Sequence, residues 1–589
     1  MIIITNMTQT RNFSTLIIFI FSCTAYLPFA AAQVTQNYQV YKLENKIGTE
    51  KVSIAGRTDN AAVDITIRTV DRGQALMLTA ALTPNATGTR YTSTGQTSRF
   101  KQEKIDKRYS PSQGFPLSQN GAIKLREMLI DYWIKAARPA VVKSALDGSA
   151  IRINEITDIT DTYKVSGWKA FLINNGLDEI FWTDAQGKAV FLTTTDSEGD
   201  KREVIDERYL SAFSKLNQQS THHLLQAYMD NSSISFKKNP AIAILGGTII
   251  DVTHNGELQN NTMVLIIKGK IDYVGAINKS LIPPGACLID ATNKFLLPGL
   301  WDMHAHIFHP AYLQRELRSG VTSVRDMGNE FDFVKQLMDI VRKESTPVPN
   351  FYAAGLLDGK SPATLGAMLA TNENEIKKNV RAYHDAGFKQ IKVYGSVKKK
   401  DFNRIVEEAK RYDMDVVGHL PTGYTISYFI NNGMRSISHI NFFMNSINWS
   451  SGDLKTGNQS LLDSMRSHHT FLDPTLNVYR LMGDKKVAFY QKLIKLFADN
   501  HIPIVAGTDN EGTIADEIQN YIRCGMSPLD AIRSATIIPA EVMGEAQRSG
   551  SISQGKDGDI LILEENPLLH INTLQHIPTI IRNQFVITN

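Results

Sequence analysis

Cysteine is scarce in this chain of 589 residues, which contains three of them. Cys23 lies in an apolar amino-terminal segment, while Cys287 and Cys524 stand far apart in the rest of the chain. Exported proteins often carry disulfides, but two cysteines at this separation do not indicate one. We expect Cys287 and Cys524 to be small buried side chains. Lipid attachment at Cys23 is disfavoured, since Phe21 fits that pattern badly.

A strong charge excess and long apolar runs are also missing. The 63 lysines and arginines nearly balance the 59 aspartates and glutamates, and basic residues form no concentrated stripe. A nucleic-acid partner is therefore not expected. After residue 32 no apolar run is long enough for a bilayer, so the sequence predicts no stable membrane span. The hydrophobic content of 42% is that of a globular protein, and the length predicts about three or four domains.

Residues 1–32 have the pattern of a secretory signal peptide. Arg11 is their only charged residue, the run from Leu16 to Ala30 is apolar, and Ala30-Ala31-Ala32 precedes Gln33. These are the charged, apolar and small-residue regions of a cleaved leader. We expect an exported protein, periplasmic or secreted, that begins near Gln33. A retained membrane anchor is the alternative, which the short apolar run disfavours.

Residues 33–235 predict a separate antiparallel β-rich domain of unknown role. In AVDITIRTV, residues 62–70, apolar and polar side chains alternate with the period of a half-buried strand. Turn residues at 71–73 and 184–187 predict two hairpins. One helix is predicted, because apolar residues from Leu125 to Ala136 recur at helical spacing and Pro139 ends the pattern.

The pattern changes after residue 238. Short β-branched strands fill 238–296, and short strands return at 550–589, which predicts one small composite β-sandwich built from both segments. Residues 297–549 alternate apolar strands with polar loops and amphipathic helices. Eight strands alternating with helices over about 250 residues predict a (β/α)8 TIM barrel. The fold class is therefore α/β.

Chemically active side chains stand at the ends of the predicted barrel strands, where such enzymes place their chemistry. They are His304 and His306 on the first strand, Lys392 on the fourth, His419 on the fifth, His439 on the sixth and Asp509 on the eighth. Residues i and i+2 of a strand share a face, so His304 and His306 can present two imidazoles to one metal ion. Any one histidine is readily a core or surface residue, whereas the full set predicts a metal site.

The chain resembles the amidohydrolase superfamily over about residues 238–589. The motifs GLWDMHAH, VTSVRDMG, IKVYGS, VVGHLP, SISHI and VAGTDN carry the resemblance, together with MSPLDAIRSATIIPAEVMG and ISQGKDGDILILEENPL. The branch it resembles has a carboxylated lysine and a pair of metals, and includes imidazolonepropionase-related amidohydrolases and Xaa-Pro dipeptidases. The resemblance implies that all six strand-end residues ligate metal.

The resemblance also implies that Lys392 is carboxylated. An ammonium has three donors and no acceptor, so it cannot ligate a cation, whereas a carbamate has two oxygens that can bridge two ions. The implied cofactor is a divalent metal, as two zinc ions per chain. The alternative is a plain lysine paired with a carboxylate, beside a single metal that His304, His306, His419 and Asp509 hold.

The implied chemistry is hydrolysis by activated water. A metal lowers the pKa of its water to about 7, and Asp509 takes the proton and passes it to the leaving group. Tyr394 helps to polarise the scissile carbonyl or, alternatively, packs in the barrel. Arg325 binds a substrate carboxylate or forms a structural ion pair.

Two positions depart from the family pattern. Ser438 stands where a glutamate commonly precedes the strand-six histidine, which puts the hydrogen bonding around the ligands in doubt. Ala515-Asp516-Glu517 stands where relatives often carry a histidine before an acidic pair. The substrate pocket is therefore expected to differ from those of the best-known members.

The predicted function is an exported, metal-dependent amidohydrolase that cleaves C–N bonds in amides, cyclic amides or short peptides. Its substrate is a small molecule or a short peptide, and a homo-oligomer is compatible with the sequence. One alternative is lactone or ester hydrolysis at the same site. The other is a binding protein in which the barrel is vestigial, which the complete ligand set disfavours. The substrate, the metal and the number of ions stay open.

Overall fold

A computed structural model describes residues 34–56, 61–85, 88–118, 122–230, 234–343, 346–445, 459–479 and 484–589. The predicted signal peptide, residues 1–32, lies outside the described residues. Three sheets organise the described chain. Within these ranges, no helix is both long and apolar enough to cross a membrane.

The first sheet is a twelve-stranded antiparallel meander at the amino-terminal end. Its strands are β1 (Val34–Lys42), β2 (Asn45–Ala55), β3 (Ala62–Asp71), β4 (Gln74–Asn85), β5 (Gly88–Gln96), β6 (Gln102–Tyr109), β7 (Val142–Lys143), β8 (Ala150–Ile156), β9 (Lys169–Asn175), β10 (Leu177–Thr183), β11 (Ala189–Thr195) and β12 (Lys201–Asp206). β1 pairs with β12, so the two ends of the meander meet in mid-sheet. The β3–β4 and β10–β11 hairpins confirm the two predicted turns.

Three helices accompany this sheet in the described ranges: α1 (Ile123–Lys135), α2 (Asp161–Val165) and α3 (Phe213–Asp230). α1 is the predicted helix, and it buries Leu125 and Leu129. The expectation of a single helix is wrong, because α3 is 18 residues long. Its buried face includes Asn217, Ser220 and Thr221, so the helical period does not show as an apolar stripe.

The second sheet combines two distant parts of the chain. Its strands are β13 (Phe236–Lys238), β14 (Ala241–Ile250), β15 (Leu258–Ile267), β16 (Lys270–Ala276), β17 (Cys287–Asp290), β18 (Phe295–Pro298), β26 (Ile560–Leu563), β27 (Thr579–Arg582) and β28 (Phe585–Thr588). β18 pairs with β26 and β13 with β28. The two segments therefore share one sheet; the exact domain boundaries taken from the sequence stay predictions.

The third sheet is parallel, and its strands follow one another in chain order. They are β19 (Leu300–Ala305), β20 (Val321–Asp326), β21 (Asn350–Leu357), β22 (Gln390–Val393), β23 (Asp415–Gly418), β24 (Met434–Ser438) and β25 (Phe471–Asp473). Helices accompany these strands: α4 (Ala311–Arg318), α5 (Phe331–Val341), α6 (Glu373–Ala386), α7 (Lys399–Lys410), α8 (Ile426–Asn431), α9 (Gln459–Ser467), α10 (Leu476–Tyr479), α11 (Asp484–Asp499), α12 (Ile514–Arg523), α13 (Pro528–Arg533) and α14 (Ile537–Val542). This alternation is that of a (β/α) barrel.

The eighth predicted strand, IVAGTDN, is irregular. Ile504 forms a single bridge with Leu472 of β25. The amide of Val505 donates to the carbonyl of Leu472 at 2.9 Å, and the amide of Met303 in β19 donates to the carbonyl of Ala506 at 2.8 Å. This segment therefore joins the last strand to the first, and the parallel sheet is nearly closed.

The amino-terminal sheet covers the carboxyl ends of the barrel strands. Asn45, in the β1–β2 hairpin, donates to the carbonyl of Thr364 at 3.0 Å. Tyr312 donates its hydroxyl to the carbonyl of Gly199, between β11 and β12, at 3.1 Å. Thr364 follows β21 and Tyr312 follows β19, so both contacts lie at the end of the barrel where chemistry is placed.

Candidate active site

His306 lies just after β19, with each ring nitrogen facing an oxygen. Its Nδ1 lies 3.0 Å from the carbonyl of Gly328, so Nδ1 carries the hydrogen and donates it. Its Nε2 lies 3.2 Å from Oδ1 of Asp509. An imidazole nitrogen and a carboxylate oxygen are both common metal-ligand atoms. The pair is arranged as metal ligands are.

His304 is fully buried at the carboxyl end of β19. Its Nδ1 lies 3.3 Å from Oδ1 of Asp473, and its Nε2 lies 3.6 Å from Oδ1 of Asp509. Asp302 fixes the backbone here, because its carboxylate accepts from the amide of His304 at 2.9 Å and from the hydroxyl of Thr508 at 2.6 Å. Strand one and the segment before Asp509 are thereby tied together.

Lys392 reaches the same point from β22. It is 1% exposed, and its Nζ lies 3.4 Å from Nε2 of His304. Among the described residues, no carboxylate lies within ion-pair distance of this Nζ. Burial lowers the pKa of Lys392 to about 8, although the charges of Asp509 and Asp473 oppose that shift. A lysine without a direct carboxylate partner is unusual at such depth.

His419 and His439 follow β23 and β24, and their Nε2 atoms lie 2.9 Å apart. Nδ1 of His439 lies 2.7 Å from the hydroxyl of Thr475, which fixes the ring orientation. The ring of Tyr394 stacks on His419 with a centroid separation of 4.2 Å. Tyr394 therefore borders the site and also packs against the core of the barrel.

Burial sets the protonation of these groups. It lowers the pKa of His439, and it lowers those of His304 and His419 well below the usual value. The imidazoles are therefore neutral and keep a lone pair for a cation. Burial raises the pKa of Asp509, but His304 and the hydrogen bond from His306 outweigh this and hold that pKa well below its usual range. The site thus combines neutral nitrogen donors with one anionic carboxylate.

Four non-glycine residues of the site have left-handed backbone: Thr475 (φ 50°), Asp509 (φ 52°), Asn510 (φ 62°) and His439 (φ 71°). Such a conformation costs a non-glycine residue about 1–3 kcal/mol. Two of the four are predicted ligands, and two lie beside them. The fold therefore holds these four residues in a backbone conformation that carries a cost.

The six predicted residues converge. Within the described chain, ligand atoms of His304, His439 and Asp509 all lie within 4.8 Å of one another. His306 and Lys392 contact this group directly, and His419 does so through His439. The roles of the individual ligands stay predictions.

Asp473 is a site residue that the sequence analysis missed. Besides His304, it contacts Arg325, whose Nη2 donates to Oδ2 of Asp473. The signal was present in FLDPTL, where one carboxylate ends an otherwise apolar strand. Arg325 is fully buried and also donates from Nε to the carbonyl of Met303 at 2.6 Å. Arg325 therefore forms a structural ion pair, which is one of the two roles expected for it. A substrate carboxylate cannot reach it.

The structure shows what surrounds the two positions that depart from the family pattern, Ser438 and Glu517. Ser438 is fully buried, and the carboxylate beside the histidines comes from Asp473 on the neighbouring strand. Glu517 accepts from the backbone amides of Leu476 and Asn477 at 2.7 and 2.9 Å. It holds a loop rather than facing the site.

Known proteins resemble the barrel part of this chain. Residues 295–586 match the family model described as the amidohydrolase family. Ochratoxinase of Aspergillus niger is 26% identical over 354 residues, which cover 48% of this chain and 72% of that protein. Adenine deaminase 4 of Rhizobium meliloti is 24% identical over 344 residues, covering 55% of this chain and 54% of that protein.

A solved structure shares the fold. It is a candidate prolidase from Bifidobacterium longum, with a TM-score of 0.50 and 21% identity, covering 59% of this chain and 94% of that one. Over residues 295–586, about half of its length, the chain is similar to the amidohydrolase family. It is a hydrolase acting on carbon–nitrogen bonds. The matched region includes every residue of the candidate site, from His304 to Asp509.

Proposed function

We propose that this protein is an exported, metal-dependent amidohydrolase that cleaves amide, cyclic amide or short-peptide bonds. One observation carries the proposal: six side chains from strands one, four, five, six and eight converge at the carboxyl end of the barrel. Among them, Nε2 of His306 and Oδ1 of Asp509 lie 3.2 Å apart. A vestigial barrel has no reason to retain such an arrangement.

The donor set fits divalent cations, zinc foremost. Imidazole nitrogens and carboxylate oxygens are zinc's usual ligands besides thiolates, and the described site offers both. His304, His306, His419, His439 and Asp509 would hold the metal, with Lys392 between them once it is modified. When bound, such a cation acidifies water and polarises a carbonyl.

Lys392 is proposed to be carboxylated. The neutral amine adds to the carbon of CO2, an N–C bond forms, and one N–H proton leaves to solvent, which yields an anionic carbamate. The described surroundings support this reaction, because no carboxylate pairs with the Nζ and its 3.4 Å neighbour is the imidazole of His304. A carbamate would supply the second negative charge that two neighbouring cations require.

The chain's own groups move the proton. The Asp509 side chain is 23% exposed, so it is open to the space in which water and substrate meet. Its carboxylate accepts a proton from water and returns it to the nitrogen of the leaving group. Tyr394, stacked on His419, donates its hydroxyl to the substrate carbonyl and helps to orient it. Asp473 acts through His304 as a positioning residue.

The names of the two relatives, ochratoxinase and adenine deaminase, imply the cleavage of different bonds. Ochratoxinase and adenine deaminase act on different compounds, so a substrate does not follow from similarity. What the site supports is the bond type and the use of activated water. The particular amide is therefore left to experiment.

The test is a hydrolysis screen of the purified protein with N-acyl amino acids, dipeptides, cyclic amides and lactones. We expect turnover of at least one C–N substrate, loss of that turnover after chelation, and its return on adding zinc. Turnover of lactones alone would favour the ester-hydrolysing alternative. Turnover that survives complete metal removal would contradict the proposal.

Export rests on the first 32 residues, where Arg11 precedes the apolar run from Leu16 to Ala30. The mature chain is proposed to begin near Gln33. Amino-terminal sequencing of protein from the culture medium or periplasm checks this. A chain that still carries residues 1–32 in that fraction would contradict it.

A further inference from the structure

The loop that follows β21 closes on itself at the mouth of the barrel. It runs over residues 358–370, and we call it the β21 loop. At its base the amide of Ala370 donates to the carbonyl of Asp358 at 2.8 Å, and the amide of Asp358 donates to the carbonyl of Met368 at 3.3 Å. The loop leaves the carboxyl end of a barrel strand, so it is anchored at the same end of the barrel as the candidate site.

The amino-terminal sheet rests on the β21 loop. The side chain of Asn45 donates to the carbonyl of Thr364 at 3.0 Å. A Cβ added to Gly73 would lie 3.7 Å from the Cβ of Ala363, which is ordinary van der Waals contact. Asn45 lies in the β1–β2 hairpin and Gly73 in the β3–β4 turn. The loop is therefore held between this sheet and the barrel.

The carboxylate of Asp358 joins the β21 loop to the loop that follows β22. This second loop, residues 394–398, is called the β22 loop. Oδ1 of Asp358 accepts from the amides of Gly359 and Ser396, both at 2.8 Å, and Oδ2 accepts from the amide of Leu365 at 3.0 Å. Asp358 is fully buried, and buried amides need such partners. One carboxylate thus satisfies three amides from two loops.

The two loops also approach each other closely. A Cβ added to Gly359 would lie 2.0 Å from the carbonyl oxygen of Ser396, so a glycine is required there. The hydroxyls of Ser361 and Ser396 lie 2.7 Å apart. Ser396 is therefore fixed by its amide, its carbonyl and its side chain, all of which face the β21 loop.

Tyr394 stands at the start of the β22 loop, two residues before Ser396. Its amide donates to the carbonyl of Leu357 at 3.0 Å, and its ring stacks on that of His419 with the centroids 4.2 Å apart. The backbone from which Tyr394 projects is thus tied to β21 before Asp358 and to the carboxylate of Asp358 itself. Loss of that carboxylate would release the far side of this attachment.

We propose that Asp358 is a positioning residue for Tyr394, which it fixes against the substrate carbonyl by tying the β22 loop to the β21 loop. The inference rests on the proposed function, because it concerns the tyrosine that orients the substrate at that same site. It also gives the amino-terminal domain a role, since Asn45 and Gly73 support the loop on which this arrangement depends.

The first experiment is a double-mutant cycle on kcat, with an amide that the hydrolysis screen identifies. In Asp358→Asn the side chain keeps one acceptor oxygen but turns an NH2 group towards amides that donate, so the two loops separate. We expect kcat to fall about tenfold to hundredfold, the cost of a misplaced side chain beside the reacting atoms, with metal content unchanged. In a Tyr394→Phe background the same substitution should change kcat by less than about twofold, because the two residues act as one unit.

Two further variants sharpen this cycle. Ser361→Ala, at an exposed position, removes only the hydroxyl contact between the loops and is expected to fold. It should lower kcat about twofold to tenfold, the worth of one neutral hydrogen bond, and again only when Tyr394 is present. Asp184→Asn is the matched control, because Asp184 is a buried aspartate that accepts from two amides in the β10–β11 hairpin. It should leave kcat unchanged.

A readout independent of turnover separates this inference from the proposed function. With 3-fluorotyrosine at position 394, Asp358→Asn should shift the fluorine resonance and Asp184→Asn should not. Absence of turnover with every compound would overturn the proposed function alone, and the fluorine spectrum would then test the inference by itself. An unchanged resonance in folded Asp358→Asn protein, or an equal loss of kcat with and without the Tyr394 hydroxyl, would overturn the role of Asp358.

Discussion

Nε2 of His306 lies 3.2 Å from Oδ1 of Asp509, although the two residues stand at opposite ends of the barrel segment. Near-closure of the parallel sheet produces this contact. The amide of Asp509 donates to the carbonyl of His304 at 2.6 Å, which brings the last strand position against the first. The geometry of the site therefore depends on the irregular eighth segment.

Asp509→Asn tests the proton shuttle. The amide keeps one oxygen for a cation but cannot take a proton at neutral pH, so activity should fall more than metal content. A loss of about 10²–10⁴-fold in kcat is expected for general acid–base catalysis. Steady-state kinetics and metal analysis of the same sample check this. Asp499→Asn, at an exposed position of α11, is the control, and an Asp509→Asn variant with wild-type kcat would refute the role.

Asp473→Asn tests the positioning of His304. The change removes the charge that faces both His304 and the buried guanidinium of Arg325. Metal affinity should fall about 10–100-fold, as for other groups that orient ligands, and stability should fall by about 3–5 kcal/mol because Arg325 is left unpaired.

The double variant Asp473→Asn/Arg325→Met separates these two effects. It removes the unpaired charge, so it should recover much of the stability without recovering metal affinity. Chelator competition and urea unfolding of the metal-free protein measure the two quantities. Recovery of both together would mean that Asp473 has only a structural role.

Lys201→Met tests how the amino-terminal sheet is fixed to the barrel. Nζ of Lys201 pairs with the buried carboxylate of Glu330, which precedes α5, and with Asn217 of α3 at 2.9 Å. Loss of the cation leaves Glu330 and Glu203 buried together, so we expect a cost of about 3–5 kcal/mol. Denaturant unfolding checks this, with Lys495→Met in an exposed helical pair as control. A cost equal to the control's would mean that the ion pair adds nothing.

Glu517→Gln tests a pH dependence of stability. Burial raises the pKa of Glu517 from 4.5 to about 8. Between these values the folded carboxyl stays protonated while the unfolded one ionises, so this group's contribution is complete below pH 4.5 and is lost as pH rises towards 8. The variant should be less stable at pH 5, since an amide satisfies only one of the two backbone donors, but its stability should fall less by pH 8.

Urea unfolding of the metal-free protein across this range measures the difference. Glu407→Gln, at an exposed position of α7, should keep the wild-type pH profile. Parallel profiles for wild type and Glu517→Gln would show that Glu517 is ionised in the folded protein.

Much of the fold follows from local sequence patterns. Alternation in residues 62–70 predicts β3, and the helical stripe from Leu125 predicts α1. Strand-end positions also identify His304, His306, Lys392, His419, His439 and Asp509, because a parallel barrel brings strand ends together. These are features that a single sequence carries within a few residues.

Other features depend on contacts between distant segments. The buried face of α3 is partly polar, so the sequence shows no hydrophobic period there. The role of Asp473 becomes apparent only from its contacts with His304 and Arg325. Docking of one domain on another leaves little local signal in the sequence.

The central claim is a pair of metals bridged by carboxylated Lys392, and metal analysis of wild type and Lys392→Ala tests it most directly. We predict two ions per chain in active wild type. We also predict loss of metal and activity in Lys392→Ala, with partial return of both in high bicarbonate and a short carboxylic acid that fills the bridge. Full wild-type activity with one ion per chain, or a Lys392→Ala variant that keeps both ions and its rate, would contradict the account and establish the single-metal site.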